Sequence, residues 1–198
     1  MTGGRSAPAE HALNGGHEIC VIGTRSWAAL RRLLWPSASS AIGQAQFGTD
    51  EDVAYAAALW TALEEAHLVG ENVIHGTFYQ GAEPHGAVLE TLFADVEVDG
   101  VTAPTVLKRN YGPAGVAIEE VSNNPGGHLG AITLMYQRPG FNADTDDWFW
   151  VKYLPDGTLD LAGETQMAGN VGGCIGCHGD APGEDWIFVT DRAMHPAM

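Results

Sequence analysis

From Gly86 onward the chain is cut into short apolar runs by Gly, Pro, Asn and Asp, and this punctuation limits the possible folds more than any other feature. Residues 87–98, 105–111, 115–121, 129–138 and 148–154 read as strands. Asp99-Gly100 and Pro155-Asp156-Gly157 supply turn chemistry between and beyond them. No long helical spacer separates these runs, so they point to an antiparallel sheet rather than a parallel one built on crossover helices. One long helix precedes them. Thr49 and Asp52 resemble a capping pair, and Val53, Ala56, Ala57, Trp60, Leu63 and Leu68 follow at helical spacing until Gly70. The expected class is α+β, mainly β, with about five strands and helices at the two ends of the domain.

Residues 1–48 are rich in Gly, Ala and Ser, contain Pro8 and Pro36, and show no sustained period, so a poorly ordered leader or signal-like extension is expected there. The apolar stretch 19–35 is interrupted by Arg25, Arg31 and Arg32, and small residues follow at Ser37 to Ala41. Residues 49–198 then form a single domain, in keeping with a length of 198 residues. The chain carries 25 acidic against 9 basic residues, a formal charge of −16. A surface of that sign repels phosphate backbones and anionic lipid, so neither nucleic acid nor a membrane is expected as partner. Such a charge suits a soluble protein that meets a basic redox partner or a small molecule.

The three cysteines are not the even, dispersed set of a disulfide-stapled fold. Cys20 lies alone in the leader and reads as an incidental thiol. Cys174 and Cys177 belong to the pentapeptide Cys174-Ile175-Gly176-Cys177-His178, which has the spacing for covalent haem c attachment. Two thiols add to the haem vinyl groups and the adjoining imidazole binds iron. Gly172, Gly173, Gly176 and Gly179 are expected to let the backbone approach the flat macrocycle. Two other readings use the same residues. A redox dithiol needs the cysteines without His178 and ordinarily sits in a βαβ context, which this region lacks. A zinc site needs about four ligands, with only Cys20 and scattered His to complete it. The sixth iron position decides what a haem would do, and Met135, Met167, Met194, His67, His75, His85 and His128 are the candidate ligands, none marked by its sequence surroundings.

Several pieces of the second half combine with this motif. They are Pro84-His85-Gly86-Ala87-Val88-Leu89-Glu90, the aromatic run Asp147-Trp148-Phe149-Trp150-Val151-Lys152-Tyr153 with its following Pro155-Asp156-Gly157, and Asp185-Trp186-Ile187-Phe188-Val189-Thr190 behind the pentapeptide. With them the chain resembles the cytochrome P-460 and cytochrome c′-beta family from Gly86 to Thr190, together with the preceding helix. The resemblance implies a largely antiparallel sheet with helices, a C-terminal haem-binding segment, and a periplasmic monohaem protein. It implies an open distal face and a small nitrogen ligand or substrate such as nitric oxide or hydroxylamine. Cys174 and Cys177 inherit the attachment role, His178 the iron ligand role, and a homodimer is a further implication. In the hydroxylamine-oxidising branch a lysine on the strand after a Gly-led turn is bonded to the haem ring. The matching strand here, residues 87–92, has no lysine, with Thr91 or a neighbour at that place, so ligand binding is the stronger expectation and enzymatic turnover stays open.

Beside the resemblance, the residues suggest further roles. Glu90 shares a strand face with Val88 and Leu92, and is either a carboxylate beside iron, able to shuttle protons, or a solvent-facing strand Glu; the second is the expectation. Trp148, Phe149, Trp150 and Tyr153 are too many aromatics for a wet strand and are expected to line core and haem wall. Trp186, Ile187 and Phe188 are expected to pack back onto the sheet and fix His178. Lys108-Arg109 fits either haem propionates or a solvated turn. The runner-up functions are an electron-transfer cytochrome with a filled sixth position and a nitric oxide sensor or scavenger without turnover.

Overall fold

Thr49 starts a long helix by reciprocal capping. Its Oγ1 accepts from the Asp52 backbone N–H at 3.1 Å, and the Asp52 carboxylate accepts from the Thr49 backbone N–H at 3.1 Å and hydroxyl at 2.8 Å. Helix α1 runs Asp50–Glu65 and buries Asp52, Ala56, Leu59 and Leu63 along one face. These coordinates are a computed structural model that describes residues 46–183 and 185–188. The leader reading for residues 1–45, with Cys20, and the candidate ligand Met194 lie outside the described residues.

Strands β1 (Phe78–Gln80), β2 (Val88–Val98), β3 (Val101–Tyr111), β4 (Leu129–Gln137), β5 (Trp148–Tyr153) and, after the small hairpin β6 (Leu161–Ala162) and β7 (Thr165–Gln166), β8 (Ala168–Gly169) follow in chain order. The main sheet has six strands in the order β1-β2-β3-β4-β5-β8, every pair antiparallel. The fold is α+β, mainly β. The β2–β3 hairpin turns at Asp99 (φ +51°) and Gly100 (φ +79°), the left-handed pair that a two-residue turn between right-twisted strands demands.

One expected strand is not a strand. Residues 115–121 hold helix α2 (Ile118–Asn123), which a second short helix, α3 (Pro125–His128), follows. Glu119 and Glu120 occupy the first turn of α2, where carboxylates favour the helix dipole, and the Glu120 side chain accepts from the Ala117 N–H at 3.0 Å. Val116 and Val121 pack on Val88 and Tyr111 in a cluster of their own, beside the end of β2 and β3. The sheet reaches six strands because the very short β1 and β8 join its edges.

The register divides each strand between two faces. Glu90 pairs with Arg109, Arg109 with Ile132, and Ile132 with Tyr153; one residue along, Thr91 pairs with Lys108, Lys108 with Thr133, and Thr133 with Lys152. On one face Leu107, Ile132, Leu134, Tyr136, Phe149, Val151 and Tyr153 meet Ala56, Leu59 and Leu63 of α1. The Tyr153 hydroxyl donates to the Ala56 carbonyl at 2.7 Å, which fixes the helix on the sheet. On the other face Val106, Met135, Trp148 and Trp150 are covered by Val171, Cys174, Ile175 and Ile187. The aromatic strand β5 therefore serves both layers, Phe149 and Tyr153 on one side and Trp148 and Trp150 on the other. Among the described residues no helix is long and apolar enough to cross a membrane.

Candidate functional site

Helix α4 (Gly172–His178) carries the pentapeptide and packs on the sheet face opposite α1. Its spacing puts Cys174, Cys177 and His178 on one side of the helix, three and four residues apart. Both thiols are free. Cys174 is largely covered and Cys177 is exposed. Ideal Cβ atoms at Gly172, Gly173 and Gly176 would meet nothing within 4 Å, so that part of the helix backbone can be approached closely. Gly179 is different. A Cβ there would lie 3.2 Å from the Trp186 ring, so its small size serves that indole.

His178 is buried, with 8% of its surface exposed. Its Nδ1 lies 2.8 Å from the Trp186 backbone carbonyl, which can only accept, so Nδ1 carries a proton. The rings of Trp150 at 4.9 Å, Phe188 at 5.4 Å and His85 at 6.1 Å, centroid to centroid, surround the imidazole. Ile187 is buried in the same apolar layer, so the segment 185–188 does pack back onto the sheet beside His178.

A cavity opens between α4 and the sheet, walled by Val106, Met135, Trp150 and Ile187 and edged by the polar side chains of His85, Lys108 and Thr133, with Cys174 and His178 at its helix side. The register explains the membership: Val106, Lys108, Thr133, Met135 and Trp150 all fall on this face. Of the sixth-ligand candidates, His85 and Met135 reach this cavity. Met167 packs beside it in the same apolar layer. His67 and His75 are exposed elsewhere, and the His128 Nδ1 lies 3.1 Å from the Gly112 carbonyl.

Lys108 and Arg109 are not in a turn. Both are buried in β3, at 7% and 2% exposure, and alternation sends them to opposite faces. Lys108 edges the cavity directly across from Thr91 on the neighbouring strand, so an amine absent from residues 87–92 is present one strand away on the same face. Arg109 faces the other way.

Glu90 is fully buried, contrary to the solvent-facing expectation, and lies on the face away from His178. Its carboxylate accepts from Arg109 at 2.7 Å, from the Tyr111 hydroxyl at 2.7 Å and from the Gly76 N–H, with His75 Nδ1 at 3.3 Å. Burial alone would raise its pKa. The Tyr111 hydrogen bond, the Arg109 charge and hydrogen bond, and the Gly76 N–H outweigh burial and hold the carboxyl below the usual carboxylate range. Arg109 also donates to the carbonyls of Leu68 and Ile74, so the cluster ties the 68–76 connection to the sheet.

Burial pushes the Cys174 thiol up to about 11, against an opposing pull from Lys152, whereas a redox dithiol needs a thiolate-stabilising site. Among the described residues, no three His, Cys, Asp or Glu side chains gather as a zinc site requires. A haem fits the orientation of the groups: two free thiols and an imidazole on one side of a helix, beside an apolar aromatic wall. On that wall the buried Trp150 indole N–H finds no hydrogen-bond partner among the described residues. The enclosed volume, about 30 Å³, is smaller than a porphyrin, so the fit rests on the donors and their aim and not on the space. The chain matches no family model, no curated protein and no solved structure.

Proposed function

We propose that this protein is a periplasmic c-type monohaem protein of the cytochrome P-460 and cytochrome c′-beta kind that binds or oxidises a small nitrogen species, nitric oxide or hydroxylamine. The observation that carries the reading is the buried His178 imidazole, whose Nδ1–H is committed to the Trp186 carbonyl, on the same helix side as two free thiols. Cys174 and Cys177 hold the macrocycle through thioethers and His178 ligates the iron. When bound, the haem supplies a redox-active iron with a coordination position for a small ligand. Val106, Met135, Trp150 and Ile187 keep water from that side of His178, and Lys108, His85 and Thr133 bring polar groups to the rim. A soluble redox partner, and a second copy of the chain in a homodimer, belong to the same proposal.

His85 favours one alternative. Its ring lies 6.1 Å from that of His178 at an interplanar angle of 90°, and a His drawn onto the sixth position makes an electron carrier rather than a ligand-binding protein. The test is an absorption spectrum of protein exported in a host with haem-attachment machinery, recorded oxidised, reduced, and reduced with carbon monoxide or nitric oxide. A high-spin reduced spectrum that shifts promptly with gas is expected. A sharp low-spin spectrum indifferent to gas favours the carrier, and no haem band refutes both. Turnover of hydroxylamine with an oxidant then separates an enzyme from a sensor or scavenger.

A further inference from the structure

Trp186 adopts φ +65°, a left-handed conformation that a bulky side chain rarely takes. Such a backbone persists only where its surroundings enforce it. Here the enforcing contact is long in sequence. The Trp186 indole N–H donates to the Asp146 carboxylate at 2.8 Å, forty residues earlier in the chain. The indole also lies over Gly179, where a Cβ would leave only 3.2 Å, and against Trp150 at 6.4 Å between centroids. Asp185 adds a turn of its own by accepting from the Ile187 N–H at 3.0 Å.

Asp146 is an exposed residue in a turn that its neighbours close. It sits at φ +50° beside Asp147 at φ +63°, in the connection between β4 and β5. The Asp146 carbonyl accepts from the Gln137 side chain at 3.1 Å, and the Asp147 carboxylate accepts from the Gly140 and Asn142 N–H groups at 2.9 and 3.0 Å. Three residues with left-handed backbones thus meet at one junction, and that junction presents the Trp186 carbonyl to His178 Nδ1.

We propose that Asp146 and Trp186 are positioning residues for the iron ligand. The Asp146 carboxylate anchors the indole, the anchored residue keeps its left-handed turn, and the turn directs the Trp186 carbonyl onto His178 Nδ1. That hydrogen bond fixes the His178 tautomer, holds the ring plane and strengthens Nε2 as a donor, as an outer partner of a metal-bound imidazole does. The inference rests on the haem reading above and goes beyond it, since neither residue belongs to the attachment motif.

The test compares wild type with Asp146→Ala, Asp146→Asn and Trp186→Phe, each exported with haem attachment and first checked by intact mass. Trp186→Phe keeps a ring and the backbone but loses the donor, so it asks the question even where Asp146→Ala folds poorly. The readouts are the iron–histidine stretching band of the reduced protein and the midpoint potential. Asp146→Ala and Trp186→Phe are expected to lower the band frequency and raise the potential. A tenfold change in the relative affinity of the oxidised and reduced iron for its ligand corresponds to about 59 mV for one electron. Asp146→Asn, whose amide oxygen still accepts, is expected to stay near wild type. Haem attached normally with band and potential unmoved in both disrupting variants overturns the positioning role while leaving the haem reading intact. Absence of haem from the wild-type protein overturns the haem reading, and this inference with it.

Discussion

Removing the Glu90 carboxylate is expected to cost more stability than any other single change on the strand that carries it, without touching the haem site. Glu90 has no exposed surface and accepts from Arg109, Tyr111 and Gly76. Glu90→Ala leaves the Arg109 guanidinium, itself 2% exposed, with only the carbonyls of Leu68 and Ile74. Breaking a buried ion pair by removing one partner typically costs about 3–5 kcal/mol, a large share of the roughly 5–15 kcal/mol that keeps a domain folded. Glu90→Gln preserves the volume and loses the charge, so its penalty is smaller, about 2 kcal/mol. Replacing both partners, as in Glu90→Leu with Arg109→Met, is expected to cost less than the sum of the two single changes by about 1–3 kcal/mol, because neither charge is then stranded.

The pH dependence has a defined sign. The folded carboxyl is held below its ordinary value of 4.5, so its contribution is complete above that pH and is lost as pH falls through the lower folded value. Urea unfolding of wild type and Glu90→Gln, at neutral pH and in acid, measures this directly. The gap between the two is expected to close in acid. A Glu90→Ala penalty below about 1 kcal/mol, or a Glu90→Gln protein with unchanged stability and an altered haem spectrum, refutes the assignment and returns Glu90 to the site.

Before haem attachment, iodoacetamide at mildly alkaline pH is expected to label the exposed Cys177 well before Cys174, whose thiol is pushed up to about 11; equal rates would contradict the burial of Cys174. His178→Ala is expected to keep haem covalently attached while changing its absorption spectrum, and a spectrum identical to wild type removes His178 from the iron. Thioethers at Cys174 and Cys177 are the expected attachments, so digestion should release haem on a single peptide containing residues 174–178. Recovery of Lys108 on that haem peptide shows a ring bond from the cavity edge and restores the lysine-bonded chemistry that residues 87–92 do not provide.

The pieces legible in the sequence were those whose signal is local. Thr49 and Asp52 cap a helix through contacts three residues apart, Asp99-Gly100 forces a tight turn by its own backbone preference, and the pentapeptide places two thiols and an imidazole within one helical span. Residues 115–121 misled because a short apolar run bounded by Gly and Asn reads as a strand, while Glu119-Glu120 at a helix start and the burial of Val121 in a separate cluster decide otherwise. The edge strands β1 and β8, only three and two residues long, carry no period at all.

The site itself depends on pairings that no local pattern encodes. Lys108 and Arg109 are neighbours in sequence and look like one basic patch, yet a strand sends adjacent side chains to opposite faces. Recognising residues 105–111 as a strand already implies that they separate; the partner strands then decide where each goes. Lys108 shares its face with Thr133 and the cavity, and Arg109 shares its face with Glu90 and the 68–76 connection. Trp186 shows a harder case. Its contribution to His178 is a backbone carbonyl, identical in every residue, and the conformation that aims it is enforced by Asp146 across forty positions. Side-chain identity therefore points to the atoms that would bind haem, whereas the groups that orient them emerge only from strand register and from a turn held against its own preference.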